Sequence, residues 1–109
     1  MGINEMVELA YGNAKTKGWH DDDRTFGELI ALCHSELSEA LEEHRNGKLC
    51  TETYTGEKMK PEGIPIELAD VLIRIADMCG KYDIDLEQAV KTKMEYNRTR
   101  PHRHGGKVI

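Results

Sequence analysis

The sequence predicts an all-α fold, a four-helix antiparallel bundle, on three observations. Apolar residues return at helical spacing in four separate segments. Capping and stop signals bracket those segments. No stretch alternates polar and apolar residues long enough to make a useful strand, and no internal repeat is present. With 109 residues the chain is read as one domain, 1–109, able to bury one modest core.

The first helix rests on Ile3, Met6, Val7, Ala10, Tyr11 and Ala14, and the run "KGWHDDD" ends it near Gly18. Thr25 with Glu28 three residues later reads as a capping box. The periodic segment it opens runs to Arg45, where Asn46-Gly47 supplies a stop, so the second helix spans 26–45. From Gly47 to Gly63, "GKLCTETYTGEKMKPEG" is rich in glycine and threonine and lacks periodicity, which predicts a long mobile connection. Pro65 suits the first position of a third helix that runs to about Cys79, with Gly80 placed to stop it. Asp85 with Gln88 forms the next N-cap, and Leu86, Ala89, Val90 and Met94 share one side of the fourth helix. Pro101 forbids much extension, and the tail 98–109 is read as irregular or folded over the surface.

A formal charge of −5, with acids spread along the chain, leaves no electrostatic footprint for a nucleic-acid backbone or an anionic membrane. Cys33, Cys50 and Cys79 are odd in number and lack the close pairing of a zinc knuckle, so they are read as reduced thiols. Neither a signal peptide nor a membrane span is supported, and a cytoplasmic location is expected.

The chemistry lies in "ELADVLIRIAD", residues 67–77. At about 100° of rotation per residue, Glu67, Asp70, Arg74 and Asp77 share an arc of roughly 80° on an otherwise apolar helix. Such a stripe is either a solvated face, with Arg74 neutralising Asp70 at i+4, or a site. The second helix favours the site. Its apolar arc, Leu29, Leu32, Cys33, Leu37, Ala40 and Leu41, contains Glu36, while Glu39 and Glu43 border it. Buried ionised carboxylates are costly and repel one another, and one guanidinium cannot neutralise Glu36, Glu39, Glu67 and Asp70. A divalent ion is the economical partner, and an oxygen-only ligand set favours Mg²⁺ or Mn²⁺ over Zn²⁺.

The motif is therefore Glu36-x-x-Glu39 on one helix and Glu67-x-x-Asp70 on another. In these residues and their apolar surroundings, from "KGWHDDDRTFGELIALCHSELSEALEEHRNG" through "PEGIPIELADVLIRIADMCGKYDIDLEQAVKTKMEYNRTRPHRHGGK", the chain resembles the MazG-like all-α nucleoside triphosphate pyrophosphohydrolases. The resemblance implies that Glu36, Glu39, Glu67 and Asp70 hold Mg²⁺ and carry catalysis. It also implies cleavage between the α and β phosphates, giving a nucleoside monophosphate and pyrophosphate. Many relatives have a further glutamate where this chain has Ser35, so the number of ions and the general base stay open.

Lys93 and Asn97, at i and i+4, with Arg98 and Arg100 following, could grip distal phosphates, and the family tends to place a lysine and an asparagine there. Trp19 either packs a helix or stacks on a nucleobase. His20 and His34 are expected to be satisfied by backbone groups and Tyr54 to be exposed, while Arg103, His104 and Lys107 either form a basic tail or order over phosphate. Because the third helix is apolar on more than one side, a homodimer or dimer of dimers is expected. The rivals are phosphoribosyl-ATP pyrophosphohydrolase activity and a non-catalytic helical interaction module.

Overall fold

A computed structural model describes residues 1–101; the tail candidates Arg103, His104 and Lys107 lie outside the described residues. The described chain is mostly helical, with α1 Ile3–Thr16, α2 Phe26–Arg45, α3 Ile64–Lys81 and α4 Leu86–Thr99. Between α2 and α3 lies a short ribbon, β1 Tyr54–Thr55 and β2 Pro61–Glu62, joined by a 3₁₀ turn at Glu57–Met59.

The caps follow local chemistry. Thr25 Oγ1 accepts from the Glu28 N–H at 3.1 Å, and the Asp85 carboxylate accepts from the Gln88 N–H at 3.1 Å, each satisfying an amide that the first helical turn leaves free. Gly47, at φ 87°, follows Asn46 and turns the chain out of α2 in the left-handed conformation that glycine tolerates.

Three boundaries differ from expectation. The connection 47–63 is not featureless, because antiparallel pairing of Tyr54 with Glu62 and of Thr55 with Pro61 organises its second half. So short a ribbon leaves no alternation in the sequence to read. Pro65 sits one place inside α3, which starts at Ile64 behind Gly63. Gly80 does not stop α3. It lies within the helix where a Cβ would come 2.4 Å from Tyr11 Cβ, so its role is to let α1 and α3 approach. Helix α3 instead runs to Lys81 with Tyr82 as its C-cap, and Asp83 takes the left-handed conformation at φ 54°.

Helix α3 packs along both α1 and α2, while α4 packs chiefly against α1. The core centres on the α1–α3 seam, where Val7, Ala76 and Cys79 are buried with Met6, Ala10, Ile75 and Leu86 around them. The radius of gyration is 16.4 Å, against about 13 Å for a compact chain of this size, and α4 buries no residue fully. The helix-two arc is only partly internal. Leu29 and Ala40 are buried, but Leu37 and Leu41, expected in the core, are exposed, as are Leu68, Leu72 and Ile73 on α3. One chain offers those residues no opposing surface. No helix among the described residues is long and apolar enough to cross a membrane.

Candidate metal centre

Glu36 has half-buried Leu32 one turn before it and buried Ala40 one turn after it, so the helical repeat points it along the inward stripe of α2. Glu67 and Asp70, three residues apart at the start of α3, meet it. One carboxylate oxygen from each of Glu36, Glu67 and Asp70 lies within 4.8 Å of the others, and all three residues are half-buried.

That convergence is electrostatically unfavourable. Burial, then the charges of Asp70, Glu36 and Glu39, push the Glu67 carboxyl above its ordinary range, with only Lys60 opposing them. Burial, then Glu36, does the same to Asp70 against Arg74 and Lys60. The Arg74 Nε–H donates to Glu36 Oε1 at 2.8 Å, which corrects the expected i+4 pairing with Asp70. Arg74 reaches across to α2 with its guanidinium carbon 4.5 Å from the centre of the Trp19 ring. Two cations thus face the three carboxylates: Arg74 acts on Glu36 and Asp70, and Lys60 on Glu67 and Asp70.

The remaining sequence candidates are placed less uniformly. Glu39 is exposed and outside the three-residue cluster, yet close enough for its charge to act on Glu67. Glu43 is occupied elsewhere: it accepts from the Tyr54 hydroxyl at 2.7 Å, which ties the ribbon to α2 and is the main cause pushing the Tyr54 pKa up to about 12. Trp19 is 40% exposed and forms a wall of a cavity of about 270 Å³ that also reaches Glu36, Asp70 and Arg74. Lys93 is exposed with its ammonium 4.8 Å over the Tyr96 ring, and neither it nor Asn97 lines the cavity beside the acids. His34 is exposed on α2.

Two features around the acids escape sequence reasoning. Lys60, at the base of the ribbon turn, is the one lysine among the described residues whose charge acts on both Glu67 and Asp70. It follows Lys58 and Met59, both non-glycine residues with positive φ, and no periodicity in "EKMKPEG" marks it. His20, expected to find backbone partners, instead meets Asp77: Nε2 lies 2.6 Å from Oδ1, with the two side chains 11% and 16% exposed. Fifty-seven positions separate this pair, so only the fold reveals it.

The three clustered acids offer hard oxygen donors that could hold a metal ion. Comparison of the chain with protein-family models, with curated proteins and with solved structures finds no match.

Proposed function

We propose that this chain is a Mg²⁺-dependent nucleoside triphosphate pyrophosphohydrolase on a MazG-like helical bundle, cutting between the α and β phosphates to give a nucleoside monophosphate and pyrophosphate. One observation carries it: Glu36, Glu67 and Asp70 converge within 4.8 Å in a partly buried seam where burial and mutual repulsion raise the Glu67 and Asp70 carboxyls. Among the described residues Glu36 meets the Arg74 guanidinium, while Glu67 and Asp70 stay raised despite Lys60, and a cation between the three would relieve them.

In this role Glu36, Glu67 and Asp70 hold the ion, Mg²⁺ or its substitute Mn²⁺, and Glu39 stands one turn along α2 as the fourth acid. When bound, the ion supplies charge neutralisation at the phosphates and a more acidic water. A carboxylate of the set accepts the proton of the attacking water. Lys60 and Arg74 face the polyphosphate charge from the ribbon and from α3, and the Trp19 cavity receives the nucleoside end. The exposed Leu37, Leu41, Leu68, Leu72 and Ile73 support assembly into a homodimer or a dimer of dimers. Lys93 and Asn97 keep the phosphate role only in an assembly that brings α4 to an acidic seam.

The test is a screen of the common ribo- and deoxyribonucleoside triphosphates with Mg²⁺, reading pyrophosphate against single phosphate. Monophosphate and pyrophosphate in equal amounts are expected. Release of single phosphates, or no hydrolysis with any of them, overturns the assignment.

A further inference from the structure

The cavity beside the acids carries polar groups that phosphate hydrolysis does not use. Its walls include Asn13 from α1 and Ile73 and Asp77 from α3, together with Trp19, and it opens on Glu36 and Asp70. Asp77 lies two turns beyond Asp70 on the same stripe, about 10 Å along the helix axis, a distance that a sugar and base span when the α phosphate sits at the acids.

The Asp77 carboxylate is held in place. A carboxylate can only accept, so the proton of the 2.6 Å contact sits on His20 Nε2. The His20 ring is itself set edge-on against Tyr11, with ring centroids 5.3 Å apart at 61°. Asp77 therefore presents acceptors and no donor to the cavity, while the Asn13 amide offers one of each kind. A cytosine amino group is a donor at the position where uracil and thymine carry a keto oxygen. Against a fixed acceptor the amino group is matched; a keto oxygen leaves two acceptors facing each other with both unsatisfied.

Resting on the proposed hydrolysis for where the phosphates lie, we propose that Asp77, positioned by His20, and Asn13 form a base-edge subsite. It selects nucleotides whose base carries an exocyclic amino group and rejects uracil and thymine. Ile73 and Trp19 supply the apolar walls beside that edge.

Trp19 is the sole tryptophan, so its fluorescence reads occupancy of the cavity without any turnover. The wild-type protein is titrated with the non-cleavable α,β-methylene analogues of CTP and UTP in the presence of Mg²⁺. The cytidine analogue is expected to bind about tenfold or more tightly than the uridine one. In D77N, whose amide can turn a donor towards the keto oxygen, the ratio collapses towards one or inverts. Should D77N fail to fold, the wild-type ratio decides by itself. Equal affinities, or no fluorescence response to either analogue, overturn the subsite. Failure of the two proposals is separable: pyrophosphate released from CTP and UTP alike sinks the subsite and spares the hydrolysis. Fluorescence discrimination without pyrophosphate from any nucleotide does the reverse.

Discussion

The two flanks of α3 are built on opposite terms. Towards α1 it presents Ala76, Cys79 and Gly80, with Ala76 wholly buried and Gly80 admitting Tyr11 to close contact. Towards α2 it presents Asp70 and Arg74 to Glu36, with Glu67 beside them, and burial there works against the acids. On the α2 face apolar residues of similar volume would pack as well as or better than the charged ones. The difference teaches that α3 buries apolar surface on its α1 flank and concentrates charge on its α2 flank, a contrast that the proposed metal role would explain. Asp85 supplies the control. Its carboxylate accepts from the Gln88 N–H and from Asn4 Nδ2, and those bonds hold it below the ordinary aspartate range, while Asp70, with no hydrogen-bond donor among the described residues, is raised by burial and by Glu36.

The largest expected break in this comparison is functional. D70N should lower pyrophosphate release by about 10²–10³-fold, the scale on which one electrostatic group at a phosphoryl or acyl centre acts. Its metal-free Tm should equal or exceed that of the wild type, since a neutral amide relieves both desolvation and repulsion. A clear fall in Tm would instead make Asp70 a structural ion-pair partner and erase the contrast with α1.

Mg²⁺ comes next. Binding only to the folded acidic seam, it should stabilise the protein by about 2.7 kcal/mol at a hundredfold excess over its Kd, read as a rise in Tm that D70N abolishes. An unchanged melting curve at millimolar Mg²⁺, with and without nucleotide, would leave the acids without their proposed purpose. On the opposite flank G80A should act on stability alone. The clash with Tyr11 Cβ outweighs the gain of helix propensity, for a net loss of about 1–2 kcal/mol, while activity per folded molecule stays close to wild type.

The contrast between flanks also explains what the sequence disclosed. Glu36, Glu67 and Asp70 were legible because helical periodicity is local: it places a residue on a face without knowledge of what lies opposite. The four helices follow from the same rule, and the caps at Thr25 and Asp85 from equally local side-chain chemistry. Lys60 and the His20–Asp77 pair were not legible, because their meaning depends on which segments the fold brings together. Gly80 misled for a related reason: stopping a helix and admitting a neighbour both call for a missing Cβ, and only the position of Tyr11 separates them. Leu37 and Leu41 satisfy the apolar pattern of α2 yet stay exposed, since periodicity reports a face and not whether the same chain covers it.

The smallest effect sharpens the comparison through pH. In the metal-free protein Glu67 and Asp70 titrate above their ordinary values of 4.5 and 3.8, so the folded state takes up protons before the unfolded state as pH falls. Their penalty is complete above the folded pKa and is relieved on descent towards the ordinary values, so stability rises through that window. Asp85 and Glu95 have the opposite sign: hydrogen bonds from Gln88 and Arg98 hold them low, and the stability they contribute above the ordinary carboxylate range is lost as pH falls through their folded values. A series of melting curves without metal should therefore pass through a maximum in the acidic range. D70N should flatten its upper flank and D85N its lower one. Saturating Mg²⁺, by keeping the seam ionised, should move the maximum towards neutrality, and a metal-free curve that falls steadily from neutral pH would mean that the acids of the α2 flank are as well satisfied as Asp85.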